Sequence, residues 1–153
     1  LLTQSVEFNI SLPSLMNYAN FGKINKKLAS EEALKGVKAL NIKTPSLNKE
    51  IRFLSGGNQQ KVVLAKWLFK GVDILIVDEP THGIDVNAKT EVYELFTELA
   101  ASGKSIIMIS SEMPELISLS DRIVIIKNYG ISKVLDKDEI NEENILSGFM
   151  GGN

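Results

Sequence analysis

The chain has 153 residues, of which 44% are hydrophobic and 24% charged, the balance of one globular domain or a large part of one. Its formal net charge of -2 comes from 17 basic and 19 acidic residues without a long like-charged block, which argues against nucleic-acid binding. The absence of cysteine excludes disulfides and thiolate metal sites. The N-terminal residues lack a signal-peptide pattern, and the apolar runs are shorter than the roughly 20 residues that span a bilayer.

Residues 1–53 are predicted to form a helical subdomain. Residues 30–32 (Ser-Glu-Glu) have the composition of a helix start, and Ala33, Val37 and Leu40 would then share one helix face. A break at residues 43–46, which contain Pro45, ends this pattern.

Strands and helices alternate from residue 54 onward, which predicts an α/β fold with a parallel sheet covered on both faces. Three helices are expected within residues 58–119. The first covers residues 58–69, the second carries an apolar stripe at residues 92, 95, 96 and 99, and the third covers residues 114–119. The expected strands cover residues 74–77, 105–109, 122–126 and 131–135, the last two forming a hairpin around the turn 128–130. A weak amphipathic helix is predicted near the C-terminus, with Ile145 and Phe149 one turn apart.

A glycine-rich turn with the sequence LSGGNQ, at residues 54–59, leads directly into the helix predicted from residue 58. The first backbone N–H groups of a helix lack intrahelical partners, and the positive end of the dipole favours a phosphate there. Glycine allows such a ligand to approach the backbone closely. For this stretch alone, an ordinary Ser-Gly-Gly helix cap explains the residues equally well.

Two adjacent carboxylates, Asp78 and Glu79, follow the strand ILIV. The carboxyl ends of parallel strands are where such sheets place ligand sites. Asp78 suits a Mg²⁺ ligand, directly or through water, and Glu79 could orient and deprotonate a water that attacks a γ-phosphoryl group. A strand that ends in a solvated acidic loop is the alternative interpretation of an isolated Asp-Glu pair.

The glycine-rich turn and the acidic pair stand about 20 residues apart with one amphipathic helix between them, an order and spacing that resemble ATP-binding cassette proteins. Residues 54–60 resemble the signature motif of that family, Asp78 its Walker B aspartate, Glu79 its catalytic glutamate and residues 83–85 its D-loop. The strings LSGGNQQKV and DEPTHGIDV resemble the second cassette of tandem-cassette importers of the ribose, galactose and xylose kind. The resemblance continues through residues 110–116 and 143–146, so it covers nearly the whole chain.

The resemblance implies the C-terminal part of a P-loop NTPase domain of the ATP-binding cassette type. Its parts would be the helical subdomain 1–53, an ATPase core part 54–135 and a C-terminal helical tail 136–153. ATP and Mg²⁺ are the implied cofactors, with Glu79 as the catalytic residue and Asp78 as the metal ligand. The residues implied to contact the nucleotide are Ser55, Gly56, Gly57, Asn58, Gln59, Asp85 and Ser111.

Three positions depart from the general cassette pattern. Asn58 stands where the general signature has glutamine, and the second cassettes of sugar importers share this asparagine. Ser111 occupies the position of the switch histidine, and a hydroxyl cannot supply the charge or proton relay of an imidazole. His82, the only histidine, stands where the resembling importers usually carry arginine, and an exposed loop position at a dimer contact is favoured over a catalytic role.

A phosphate-binding Walker A loop, G-x-x-x-x-G-K-[ST] between a strand and a helix, is missing from the chain. Gly103-Lys104-Ser105 matches its last three positions, but Glu98 stands at the place of the first glycine and the segment leads from a helix to a strand. A helix C-terminal glycine is therefore the favoured interpretation of Gly103. Since the family places its Walker A strand-loop-helix before the helical subdomain, we expect the chain to be N-terminally truncated.

The implied function is that of an ATP-hydrolysing subunit that energises carbohydrate import. The signature motif would complete the ATP site of a partner cassette, either the first cassette of the same full-length chain or a second copy. The implied further partners are a transmembrane sugar permease and, indirectly, a periplasmic or extracellular sugar-binding protein, at the cytoplasmic face of the membrane. The alternative is a non-catalytic interaction module that does not bind ATP on its own.

Overall fold

The computed structural model describes residues 1–20, 23–68 and 70–150, which divide into two compact units, Leu1–Met108 and Ile109–Asn153. The helices of the first unit are α1 (Val6–Ser11), α2 (Lys26–Ala39), α3 (Gly56–Leu68) and α4 (Val86–Ala101), with short 3-10 helices at Leu12–Tyr18 and Ile51–Phe53. Its strands are β1 (Ala19–Asn20), β2 (Lys23–Ile24), β3 (Ile74–Asp78) and β4 (Ser105–Ile109), the last of which ends on the first residue of the second unit. The division into 1–53, 54–135 and 136–153 stays a prediction.

Helix α2 begins four residues before the predicted helix start at residues 30–32, so that prediction was wrong. Asn25 is the N-cap, and its side chain accepts a hydrogen bond from the backbone N–H of Leu28. An asparagine side chain can satisfy one of the unpaired N–H groups at a helix start, and this fixes the boundary upstream of Ser30. The buried face of α2 carries Ala29, Ala33 and Gly36, and α1 packs against both α2 and α3.

Strands β3 and β4 are hydrogen-bonded neighbours, and α4 lies between them in the chain. Along β3 buried and exposed residues alternate: Leu75 and Val77 are buried, while Ile74 and Ile76 are 61% and 65% exposed. On β4, Ile107 and Ile109 are each 52% exposed. The prediction of a sheet covered on both faces was therefore wrong for the described residues, because side chains alternate across a strand and only one set of them meets packed neighbours.

The end of α4 confirms the interpretation of Gly103 as a helix C-terminal glycine. Its φ of +88° is in the left-handed region, its N–H donates to the carbonyl of Ala100, and the N–H of Lys104 donates to the carbonyl of Leu99. This pair of bonds is a Schellman motif, which terminates the helix. Lys104 forms an ion pair with Asp73 at 2.9 Å, so its ammonium group is held by a carboxylate just before β3.

The second unit contains α5 (Met113–Leu119), β5 (Arg122–Lys127), β6 (Gly130–Asp136), a 3-10 helix at Lys137–Glu139 and α6 (Glu142–Met150). The predicted hairpin is confirmed, since β5 and β6 pair antiparallel. Asn128 and Tyr129 connect them with φ of +49° and +63°, and two positive φ values are typical of a type I′ turn.

The core of the second unit consists of Ile123, Ile125, Leu135 and Ile145. Ile145 of α6 is fully buried, as its position in the predicted amphipathic helix suggested, but Phe149 is 50% exposed. Gly148 takes the buried position one turn after Ile145, where a Cβ would collide with the Ile125 side chain. Helix α6 therefore approaches the hairpin through a glycine rather than through the phenylalanine. Among residues 1–20, 23–68 and 70–150, no helix combines the length and apolarity needed to cross a bilayer.

Candidate functional site

The signature turn, residues 54–59, forms the start of α3 in the first unit. The carbonyl of Ser55 accepts a hydrogen bond from the N–H of Gln59 at 2.9 Å, as expected of the residue immediately before the first helical residue, Gly56. Ser55 and Gly56 are exposed, whereas Gly57 is buried. Ser55 and Gly56, two of the predicted phosphate contacts, thus lie at the surface, whereas Gly57 packs against other residues of the protein.

The two glycines of the signature turn pack against the segment that includes the D-loop. A Cβ added to Gly57 would lie 2.5 Å from the Cβ of Ala88 on α4, closer than real Cβ atoms come. A Cβ on Gly56 would lie 3.4 Å from the carbonyl oxygen of Gly83 and 3.8 Å from a methyl of Ile84. The structure therefore brings two sequence-predicted motifs together, and Gly57 is needed for the close approach of α3 and α4.

The amide side chains of the signature turn form hydrogen bonds within the protein. Gln59 donates from Nε2 to the carbonyl oxygen of Leu54 at 2.9 Å. Asn58 donates from Nδ2 to Ser55 Oγ at 2.8 Å, and its Oδ1 accepts from the backbone N–H of Lys43 at 2.6 Å. These bonds give the turn a defined side-chain arrangement.

The acidic pair lies at the carboxyl end of β3, as predicted. Asp78 is exposed and is the last residue of the strand, and Glu79 is partly buried with a φ of +46°. A positive φ is uncommon for a residue other than glycine, and such strain often occurs at functional sites. The two residues that follow Glu79, Pro80 and Thr81, are buried. Their packing fixes the backbone next to the two carboxylates.

A tight connection leads from the acidic pair to α4. The N–H of His82 donates to the carbonyl of Glu79 at 3.2 Å, and Gly83 has a φ of +75°. The carboxylate of Asp85 caps α4 by accepting from the N–H of Ala88 at 3.0 Å. His82 is exposed, in accordance with the predicted loop position.

A cavity of about 280 Å³ in the first unit adjoins this connection. It is lined by Gly56 and Gln59 of the signature turn, by His82, Gly83 and Ile84, and by further residues that include Lys66. His82 therefore borders the same space as the signature turn.

An ion pair between a buried lysine and a partly exposed glutamate, which was not predicted from the sequence, joins α3 to α4. Lys61 is 4% exposed, and its ammonium group donates to the carboxylate of Glu91 and, at 3.4 Å, to the carbonyl of Asn41. A lysine this deeply buried requires a charged partner, because desolvation of an unpaired ammonium group is costly. The sequence signal was a lysine on the apolar face of a predicted helix, one turn after Gly57.

The predicted nucleotide contact Ser111 lies in the second unit, where it is exposed after the end of β4. The neighbouring Ser110 is fixed from two sides: its hydroxyl donates to the carboxylate of Glu115 and accepts from the N–H of Glu112 at 3.0 Å. Glu115 is 1% exposed, so a buried carboxylate holds the segment that carries Ser111.

The carboxylate of Asp78 suits a Mg²⁺ ion that is also bound by waters and substrate phosphates, rather than a metal ion bound by protein side chains alone. Within residues 1–20, 23–68 and 70–150, no group of three or more His, Cys, Asp or Glu side chains is arranged to hold a metal ion. Magnesium retains several waters and commonly binds proteins through one or two carboxylates together with substrate phosphates. The single exposed carboxylate of Asp78 satisfies that requirement.

Proteins with related sequences are ATP-binding subunits of sugar importers. The chain is 49% identical to the ribose import ATP-binding protein of Clostridium perfringens over 154 residues, which cover 100% of the chain and 31% of that protein. It is 42% identical to a galactose/methyl galactoside import ATP-binding protein of Treponema pallidum, over 93% of the chain and 29% of the relative. An arabinose import ATP-binding protein of Rhizobium meliloti is 43% identical over 96% of the chain and 29% of its own length. The chain thus spans about a third of the length of these relatives.

Solved cassettes share the fold. A dimeric ATP-binding cassette in a post-hydrolysis state bound to ADP and Pi superposes with a TM-score of 0.76 at 21% identity, over 90% of this chain and 58% of that one. A nucleotide-free cassette from an ABC transporter gives a TM-score of 0.80 at 16% identity, over 99% of this chain and 65% of that one. These matches confirm the predicted α/β fold of the ATP-binding cassette type. The ABC transporter family model matches residues 2–82, which include the signature turn and the acidic pair, and the chain belongs to the ABC transporter family.

Proposed function

We propose that this chain supplies the signature motif and the catalytic carboxylates of an ATPase that energises the import of a monosaccharide. The observation that carries the proposal is the packing of Gly56 and Gly57 against Gly83, Ile84 and Ala88. This packing presents the exposed Ser55 and Gly56 at a helix start, a surface suited to a phosphate.

The signature turn would act on an ATP held by a partner cassette, whether the first cassette of the same longer chain or a second copy. Ser55, Gly56 and Gly57 would contact its γ-phosphate, with Asn58 and Gln59 shaping the turn and Asp85 lying at the same contact. An exposed helix start binds an anion through its unpaired N–H groups and its dipole. Both can therefore attract a phosphate that is bound to a partner cassette.

The acidic pair would serve the ATP site of this cassette itself. Glu79 would orient the attacking water and accept its proton, while Asp78 would hold Mg²⁺, which neutralises charge on the phosphates when bound. Ser111 would contact the γ-phosphate through its hydroxyl. Because a hydroxyl accepts no proton at neutral pH, this site should hydrolyse ATP more slowly than one that contains a histidine.

The names of the related proteins support the coupling to sugar import. The partners would be a transmembrane sugar permease, with residues 1–41 as the docking region, and indirectly a periplasmic or extracellular sugar-binding protein. The ATPase would then lie at the cytoplasmic face of the membrane. The alternative function, a non-catalytic interaction module, retains the signature and dimer surfaces without nucleotide binding by the chain alone.

A chimera tests the catalytic proposal. Residues 1–153 would replace the aligned segment of the Clostridium perfringens ribose import ATP-binding protein, to which they are 49% identical. We expect Mg²⁺-dependent ATP hydrolysis by the chimera, measured as phosphate release, with the unmodified relative as the control. A folded chimera without turnover would contradict the proposal.

In the same chimera, Glu79→Gln should reduce turnover by less than the roughly 10²–10⁴-fold that general bases typically contribute. The reason is the proposed asymmetry, in which most hydrolysis occurs at the site that uses the signature turn. A loss for Glu79→Gln that equals or exceeds the loss for a Gly57 substitution would count against this asymmetry.

Titration calorimetry of the 153-residue chain with Mg-ATP tests the alternative. We expect no binding tighter than about millimolar, because the chain has no Walker A loop to enclose the β-phosphate. A micromolar dissociation constant would show that the chain alone forms a nucleotide site.

A further inference from the structure

The carboxamide of Asn58 connects two parts of the first unit that are separated in sequence. Its Oδ1 accepts from the backbone N–H of Lys43 at 2.6 Å, and its Nδ2 donates to Ser55 Oγ at 2.8 Å. One side chain thus ties the signature turn to the segment that follows α2.

The chemistry of Lys43 decides the orientation of this carboxamide. A backbone N–H can only donate, so the oxygen of the carboxamide must face Lys43 and the NH₂ group must face Ser55. Ser55 Oγ is consequently a hydrogen-bond acceptor toward Asn58. Its single proton must point elsewhere, and since Ser55 is exposed, the hydroxyl is left as a donor at the surface.

The Lys43 side of this link is anchored. Ile42 is 5% exposed, and its N–H donates to the carbonyl of Val37 in α2 at 2.9 Å. The carbonyl of Asn41, which has a φ of +48°, accepts from the buried Lys61 at 3.4 Å. The N–H of Lys43 is thus presented to Asn58 from a segment that is fixed on both α2 and α3.

We propose that Asn58 is a positioning residue that turns the hydroxyl of Ser55 into an outward hydrogen-bond donor for an anionic oxygen. The identification of that oxygen as one of an ATP phosphate rests on the proposed function. Asparagine suits this role because its short side chain reaches both partners. Glutamine would move the carboxamide outward by about one carbon–carbon bond length, roughly 1.5 Å, and would lose its hydrogen bond to either Lys43 or Ser55.

Asn58→Asp tests the proposal, because aspartate has nearly the same shape. One carboxylate oxygen can still accept from Lys43, but the other cannot donate to Ser55, so the Ser55 proton turns inward to the carboxylate. In the chimera we expect kcat/KM for ATP to fall by about 10- to 100-fold, the usual effect of losing a hydrogen bond to a charged group.

Ser55→Ala provides the control. If Asn58 acts through the Ser55 hydroxyl, adding Asn58→Asp to Ser55→Ala should reduce kcat/KM by less than about threefold further, the mark of coupled residues. If Asn58→Asp reduces kcat/KM equally with and without the Ser55 hydroxyl, the new carboxylate repels the phosphate directly. That result would overturn the proposal.

A second measurement on the 153-residue chain does not depend on ATP turnover. In nuclear magnetic resonance spectra, Ser55→Ala should shift the side-chain NH₂ signals of Asn58, and Asn58→Ala should shift the backbone amide signal of Lys43. Unchanged signals in both variants would refute the positioning role. An inactive unmodified chimera would contradict the proposed function alone, and these spectra would still decide the role of Asn58.

Discussion

Gly57→Ala is expected to destabilise the 153-residue chain by about 1–3 kcal/mol, the usual cost of overpacking a close contact. The new methyl group would lie 2.5 Å from the Cβ of Ala88, so α3 must move away from the start of α4. Thermal unfolding should show the loss as a decrease in Tm of about 2–4 °C per kcal/mol for a chain of this length. In the chimera, a displacement of the signature turn by about 1 Å should reduce turnover by about 100-fold.

Two variants test whether the loss of stability in Gly57→Ala comes from its packing against Ala88. Gly56→Ala is the matched control, because its Cβ would meet Gly83 and Ile84 only at 3.4 and 3.8 Å, so the Tm should hardly change. Ala88→Gly combined with Gly57→Ala removes the collision and should restore part of the lost Tm. Because Ala88→Gly itself weakens a helix, it is also measured alone, and a double variant as unstable as the sum of the two single variants would mean that the contact with Ala88 is not the cause.

Glu91→Ala is expected to destabilise the chain by about 2–3 kcal/mol, a little less than the usual cost of breaking a buried ion pair. Among the residues that the structure describes, the variant leaves Lys61, 4% exposed, with the carbonyl of Asn41 at 3.4 Å as its partner. The effect stays below the full penalty because the Glu91 side chain is 38% exposed, so the native pair is partly solvated. Urea unfolding of the chain measures the free energy of unfolding directly.

Lys61→Met should cost less than Glu91→Ala. Methionine fills the buried space without a charge, and Glu91 can then be solvated. Glu98→Ala, an exposed position on the same helix, controls for the alanine substitution and should be nearly neutral. Equal losses for Lys61→Met and Glu91→Ala would contradict the interpretation that the unpaired buried charge is responsible.

Local signals account for the elements that could be predicted. The strand 105–109 was predicted with its observed bounds, and the hairpin and the helix C-terminal glycine were recognised from short stretches. Each of these features depends on a few adjacent residues, whose backbone preferences and hydrogen bonds are largely independent of the rest of the chain. The start of α2 was missed because residues 30–32 have the composition of a first helical turn, whereas the side chain that caps the helix, that of Asn25, lies further upstream.

The candidate site was predicted in its parts but not in its contacts. The motifs around Gly57 and Asp78 were found because their order and spacing are specific. No pattern in the sequence indicates that Asn58 bonds to Lys43, 15 residues earlier, or that Lys61 pairs with Glu91, 30 residues later. Such contacts depend on how helices pack, and packing is not encoded in the periodicity of any one element.

The amino-acid sequence by itself determined the family and the α/β alternation and proposed the residues for phosphate and metal chemistry, because these follow from residue type and short-range spacing. Only the tertiary structure decided what those residues touch. It showed that Gly57 lies close against Ala88 and that the Asn58 side chain donates a hydrogen bond to Ser55. It also showed that a buried lysine joins the signature helix to α4. The physical reason is that close approach and desolvation arise only when separate elements are packed together.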